Sequence, residues 1–379
     1  MRRRALVWLL ALGAVLLSAV PIPRDRVHSQ RVAPGVVHRW WVDPAGPWAI
    51  HVLEVELSGR ISLMTVKAEE RLHARETVSA MAERKRRAGL RVLAGVNGDF
   101  FYETGEPVGI QVCQGTLLKN PSHRSAFVVT EAGRPFITPL ALRMMLIGSS
   151  GESVRVARVN DAPRADEMAL YNRYAGASVA FRSPTAVARC LLLDSLRVGR
   201  TIRLVCVELD TGVVSASLSG GQVLLAARGR ATSQLVSTCG AGDTLRLWIR
   251  LIPDLGSPIM EAVGGLPRIV RDGEVSIEVE REGGSGFRDV RHPRTAVGIS
   301  ANGRRVYLVT VDGRQEGYSV GMTLPELAQL MLELGAYQAL NLDGGGSTTL
   351  VVDGQVVNRP SDPTGERPVA NAILVVMRP

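Results

Sequence analysis

The sequence predicts an α/β fold in the broad, mixed α+β sense: a mixed β-sheet core with few helices and an inserted β-rich subdomain. Three observations carry that reading. Strand-like patterns dominate the first and last thirds of the chain, alternating at Trp48–Leu57 and continuously apolar at Val306–Val311. Helical spacing surfaces in two stretches, Thr77–Ala88 and Thr323–Gly335. Between about Leu140 and Pro258, short apolar runs alternate with Gly, Ser and Arg, the pattern of a small barrel or sandwich. The division that follows is a signal peptide or N-terminal anchor at 1–20, a linker at 21–35, one domain from 36–139 and 259–379, and the inserted β-rich subdomain at 140–258.

The chain opens with Arg2-Arg3-Arg4 and an apolar run from Ala5 to Val20, closed by Pro21, Pro23 and Arg24. That run is shorter than the roughly 20 residues of a spanning helix and has the charged-then-apolar layout of an export signal. Leu17-Ser18-Ala19 is an imperfect cleavage site, which leaves an uncleaved anchor open. Either way the body is expected outside the cytoplasm, secreted or extracytoplasmic, touching membrane only through this segment. Four cysteines, Cys113, Cys190, Cys206 and Cys239, then become disulfide candidates or buried free thiols, and no CxxC pair suggests zinc.

Composition narrows the partners. Hydrophobic residues make up 46% of the 379 and charged residues 21%, an ordinary globular balance. The net charge of +9 is almost wholly arginine, with Lys67, Lys85 and Lys119 the only lysines among 45 basic residues. A basic surface suits nucleic acid, an anionic polymer or membrane. The excess is spread along the chain, and aromatic content of 4% argues against a base-stacking surface, so nucleic acid is set aside.

Taken in order, Val27–Ala33 reads as a polar, basic linker into Pro34-Gly35, followed by strands at Val36–Trp41, Trp48–Leu57 and Ile61–Val66. In Thr77–Ala88 the apolar Val78, Met81 and Ala82 fall at helical spacing and Gly89 stops the helix. The buried strand Val92–Val96 delivers Asn97-Gly98-Asp99-Phe100-Phe101 at its end, presenting an amide and a carboxylate where rigid side chains face a crevice, or simply turning. A hairpin is expected at Ala126–Val129 and Gly133–Ile137, and another at Val270–Val275 with Asp272-Gly273 at its tip. Pro293 stiffens the entry to a strand beginning at Arg294 or Thr295, where a guanidinium could grip phosphate bidentately. Val306–Val311 ends in Asp312-Gly313-Arg314, again polar groups at a strand end. Thr323 caps the second helix, with Pro325 and Glu326 in its first turn.

That helix returns the chain to its most informative stretch, Ala339–Leu350. Asp343 is followed by Gly344, Gly345 and Gly346, then Ser347, Thr348 and Thr349. Consecutive glycines forfeit chain entropy and packing, so they mark a sharp turn or a close approach. Bare amides beside hydroxyls suit an oxyanion, and the carboxylate supplies a base, a nucleophile or a metal ligand. A P-loop does not fit, because neither Lys nor a helical pattern follows.

Together, Asn97–Phe101, His292–Gly298, Asp312-Gly313-Arg314, Thr323–Gly335 and Leu342–Ser347 resemble the phosphodiester glycosidase family, over roughly Val36–Pro139 and Ala262–Met377. Gly264-Gly265-Leu266-Pro267 departs from the family turn, which often has a third glycine where Leu266 stands. The resemblance implies hydrolysis of a sugar 1-phosphodiester to free sugar and phosphomonoester, on a phosphorylated glycan or a sugar-phosphate diester. It implies Asp343, Asp99 and Arg294 as catalytic residues and Asn97, Thr295, Asp312, Arg314, Gly344, Gly345, Gly346, Ser347 and Thr348 as substrate-binding. No cofactor is required by this reading; a divalent cation on Asp99 or Asp343 is conceivable, without a ligand spacing that demands it. A non-catalytic binder of envelope polysaccharide and a phosphodiesterase cutting P–O are the alternatives.

Overall fold

The computed structural model describes residues 26–378, so the expected signal or anchor at 1–20 lies outside the described residues. No helix among the described residues is long and apolar enough to cross a membrane.

Two sheets packed face to face form the centre. The larger has eight strands in the order 28–33, 36–43, 48–56, 305–311, 294–300, 336–341, 268–271 and 274–275. Its inner face, carrying Leu53, Val55, Val297, Leu308 and Leu340, meets Leu93, Val96, Leu350, Ile373 and Val375 of a five-stranded sheet. That sheet runs 355–356, 350–352, 91–97, 371–377 and 61–67. Because side chains alternate across a strand, Val52, Val309 and Ala296 face the other way, onto the helix Leu324–Glu333. Val92, Leu374 and Val376 likewise face the helix Val78–Arg87. The result is a helix, sheet, sheet, helix stack, closed at one side by a second five-stranded sheet built on Ile259–Gly264.

The fold is thus mixed and largely β, with four α-helices among the described residues. The α/β label fits loosely: the one parallel pairing among the described residues joins Arg158–Val159 to Met168–Tyr171, and every other ladder is antiparallel. Both central helices are crossovers: Val78–Arg87 joins 61–67 to 91–97, and Leu324–Glu333 joins 305–311 to 336–341, each linking two like-directed strands that an antiparallel strand separates.

The linker expected at 21–35 is corrected in its second half. His28–Ala33 is an edge strand paired with Val36–Trp40 across the Pro34-Gly35 turn. Its side chains read as linker because an edge strand exposed on both faces needs no apolar alternation. Both expected helices form: Thr77 Oγ1 caps the first by accepting from the Ala80 amide, and Thr323, the expected cap of the second, makes a reciprocal capping box with Glu326.

Residues 141–252 supply a whole eight-stranded sheet centred on two long strands, Ser178–Leu192 and Thr201–Ser217. Of the short runs in the sequence there, Val179–Phe181, Leu191–Leu193 and Ile202–Val207 belong to these bulged strands, whose register shifts three times, whereas Val223–Ala226 and Leu245–Leu251 are strands of their own. A helix at Arg230–Thr238, unforeseen in the sequence, covers the inner face. That face shares one core with Val112, Leu117, Ala126 and Val128, so this region is fused to its neighbour through apolar packing. All four cysteines are buried free thiols, which settles the two readings left open above.

Candidate active site

The site gathers at one end of the central sandwich, where the strands 91–97, 305–311 and 336–341 finish and 294–300 begins. The residue that joins them is Asn97, fully buried at the end of Arg91–Asn97. Its Nδ2 donates to the Asp343 carbonyl at 2.7 Å, and its Oδ1 accepts from Thr295 Oγ1 at 2.7 Å and the Thr349 amide at 3.1 Å. One side chain therefore ties three of the predicted stretches into a single frame. A buried amide with every group paired is rigid, because each lost partner would leave a desolvated polar atom.

Asp343 follows the strand Ala336–Asn341 and is held by its own amide, which donates to the Gly98 carbonyl at 2.9 Å. Its Oδ1 accepts the Gly344 amide at 2.9 Å. The residue is half-buried, and burial raises its carboxyl to about 6. Ser347 lies close enough to favour the charged form, although its Oγ makes no well-formed hydrogen bond.

Asp99 sits deeper, at 1% exposure. Its Oδ2 accepts the Gly109 amide at 2.6 Å, while its Oδ1 has no partner. Burial pushes this carboxyl up to about 7, and Asp343 nearby adds to the rise. The space around it exists because two glycines face it: a Cβ on Gly264 would come within 2.5 Å of Asp99 Oδ2, and one on Gly109 within 2.8 Å. So Gly264 matters as a wall of the carboxylate pocket, a role that the departure at Leu266 does not touch.

The triple glycine makes the close approach its composition suggests. A Cβ on Gly344 would meet the Pro293 carbonyl at 2.5 Å, and Gly345 adopts a left-handed φ of 60°. Two guanidinium groups lie over the turn, Arg314 beside Gly345 and Arg367 beside Gly346. Arg314 also contacts His292 Nδ1 at 3.2 Å, and Arg367 pairs with Asp362 at 2.6 Å. In the residues that follow the turn, the hydroxyls of Ser347, Thr348 and Thr349 are all buried without a partner. Buried polar atoms are rarely left so, and a run of them following a turn flanked by two cations is an environment that suits an anion.

Other expected residues are present but occupied. Arg294 is buried, its Nε donating to the Met322 carbonyl at 2.8 Å and one Nη to the carbonyls of Phe287 and Val290 at 2.8 and 2.7 Å. Burial, with Arg314 second, lowers it to about 10. Its geometry is that of a brace for the Phe287–Met322 loops. Asp312 accepts from Asn358 Nδ2, the Arg359 amide and the Tyr318 hydroxyl, so it anchors the Asn358 loop. Thr295 is bound to Asn97, and the Gly344 and Gly345 amides donate to Asp343 and to the Pro293 carbonyl.

Several contributors escaped the sequence reading. Asn371 at the start of the last strand accepts the Asp99 amide at 2.8 Å and donates to Gln111 Oε1 at 3.0 Å, with both side chains fully buried. An asparagine and a glutamine inside otherwise apolar strands were the available signal. Arg367 had none, being one arginine of many in a Pro-rich loop.

Residues 207–376 match the family model described as phosphodiester glycosidase. The match begins inside the middle region that the sequence reading left unassigned. The chain is 33% identical to the N-acetylglucosamine-1-phosphodiester alpha-N-acetylglucosaminidase of Bos taurus over 167 residues, 41% of this chain and 31% of that protein. It thus spans less than a third of that relative's length. Among solved structures, a hypothetical protein from Synechocystis aligns with a TM-score of 0.72 at 23% identity, over 93% of this chain and 64% of that one. A Burkholderia pseudomallei protein, named as a candidate exported protein, aligns at 0.65 and 25%, over 87% and 74%. The zebrafish N-acetylglucosamine-1-phosphodiester alpha-N-acetylglucosaminidase catalytic domain, auto-inhibited by its pro-peptide, aligns at 0.50 and 17%, over 93% and 84%, a likeness of fold.

Proposed function

We propose, starting from a chain that resembles the phosphodiester glycosidase family and carries that family's domain match over residues 207–376, that the Asp343 site hydrolyses a sugar 1-phosphodiester to free sugar and phosphomonoester. The observation that supports this most is the pairing of two guanidiniums and unpartnered hydroxyls with two carboxyls that burial raises, Asp343 to about 6 and Asp99 to about 7. Ser347, Thr348 and Thr349, whose hydroxyls are unpartnered, follow directly on the glycine turn that Arg314 and Arg367 flank, next in sequence to Asp343.

The chemistry needs both halves. A phosphodiester oxygen leaves readily from the anomeric carbon, so a strong general acid is less necessary than in ordinary glycoside hydrolysis. What limits the reaction is holding the phosphate and stabilising an oxocarbenium-like transition state. In this reading Arg314 and Arg367 grip the phosphate, with Ser347 and Thr348 donating from below. Asp343, at the lip of the pocket, faces the anomeric carbon as nucleophile or as base to water. Asp99 stands behind it as a proton reservoir, and Asn97, Thr295, Asp312 and Arg294 hold the frame. We expect no cofactor. A divalent cation, which Asp99 or Asp343 would hold, is the variant to test by chelation, and turnover surviving EDTA is the expected result.

Export through Arg2–Val20 places the substrate among cell-envelope or extracellular glycans. A panel of sugar 1-phosphate diesters and simple alkyl glycosides tests the activity. Reducing sugar released from a diester, with Asp343→Asn lowering kcat/KM by about 10³-fold, supports the reading. Equal turnover of phosphate-free glycosides would contradict it.

A further inference from the structure

The outward face of the middle sheet carries a second feature that the Asp343 site does not use. Three neighbouring strands, Ser153–Arg155, Ala141–Ile147 and Thr244–Ile252, present Arg155, Met145 and Trp248 in one cross-strand row. Arg246 and Arg250 flank Trp248 along its strand, Arg143 flanks Met145, and Arg143 stands directly opposite Arg250. All four arginines are exposed, and Arg250 stacks on the Trp248 ring at 4.6 Å.

Like charges directly opposite one another destabilise a sheet, and elsewhere on this face the sequence neutralises them. Arg203, which stands opposite Arg246, pairs with Asp194, and Arg189 with Glu208. Arg143, Arg155, Arg246 and Arg250 take part in no ion pair among the described residues. The patch measures about 13 Å along the strands and about 10 Å across them, the scale of a few sugar units. At its Arg250 end it continues into a cleft of about 250 Å³ lined by Val198, Gly199, Leu255 and Pro258.

We propose that this face is a binding surface for a phosphate-bearing glycan chain, distinct from the Asp343 site. Arg143, Arg155, Arg246 and Arg250 contact its anionic groups, and Met145 with the side of Trp248 that Arg250 does not cover forms the platform on which a sugar ring lies. Guanidinium forks match phosphate oxygens, and an indole face offers apolar area to the C–H face of a sugar. Charge complementarity selects this occupant over a neutral one. Binding here does not depend on whether Asp343 cleaves the chain, so the two readings fail separately.

The test measures retention of the full chain on immobilised phosphomannan and on dephosphorylated mannan, in an Asp343→Asn background that prevents turnover. Arg143→Ser/Arg250→Ser and Trp248→Ala are compared with that background. The expected result is binding to phosphomannan only, weakened about tenfold or more in both variants. On the unmutated Asp343 background, hydrolysis of a small soluble diester stays unchanged in both. The proposal is overturned by equal retention on the two mannans, by retention on neither, or by unaltered binding in the arginine variant. Preference for phosphatidylglycerol–phosphatidylcholine vesicles over phosphomannan would overturn it in favour of a lipid surface.

Discussion

Burying a carboxyl group without an ion pair makes it hold its proton longer, and at Asp99 that has a consequence for stability. In the unfolded chain Asp99 ionises near the usual value of about 4, whereas in the fold burial pushes it up to about 7. Across that window the folded state binds more protons than the unfolded one, so its stability falls as pH rises. Asp343, raised to about 6, contributes in the same direction over a narrower window. Asp99→Asn is therefore expected to raise Tm at pH 7.5 more than at pH 5, measured by thermal unfolding. An identical shift at both values would show that Asp99 is not protonated in the fold. At the other half of the site, Gly346→Ala should displace the Arg367 guanidinium, a flexible neighbour. We expect KM for a diester to rise several-fold, with Tm changing little. A large loss of Tm with KM intact would remove Arg367 from phosphate binding.

Elements bring these residues together, and here the sequence was most readable. The strand ends at Asn97, Arg294, Asp312 and Asp343 were identifiable because polar and glycine residues interrupt strong apolar runs, and they do converge. Which of them stay open to a ligand was not readable, because that depends on partners distant in sequence. Arg294 is held by carbonyls of loops at 287, 290 and 322, and Asp312 by the 358–359 loop. Asn371 shows the same limit: only the fold brings it to Asp99 and Gln111. Asn371→Ala removes the acceptor of the Asp99 amide and leaves Gln111 unsatisfied, a loss of about 1–3 kcal/mol. It should also lower kcat with a smaller effect on KM and shift the pH profile, which a purely structural role would not do. By contrast Thr323→Ala removes the capping box of the helix behind the large sheet. Unfolding should become easier by about 1 kcal/mol, with kcat and KM unchanged.

At the scale of the molecule, antiparallel sheets stacked between helices place the site at one end of a sandwich and leave the middle sheet with an open face. The two helices and most strands of the central layers follow from periodicity. The edge strand at His28–Ala33 and the bulged pair Ser178–Leu192 and Thr201–Ser217 do not. An edge needs no alternation, and a bulge changes which face a residue occupies. The reaction proposed for the whole is cleavage of the bond between the anomeric carbon and oxygen. Hydrolysis of a sugar 1-phosphate diester in heavy-oxygen water tests that most directly. The account predicts the label in the released sugar and none in the phosphomonoester. Label in the phosphate would mean P–O cleavage and would contradict the role given to Asp343.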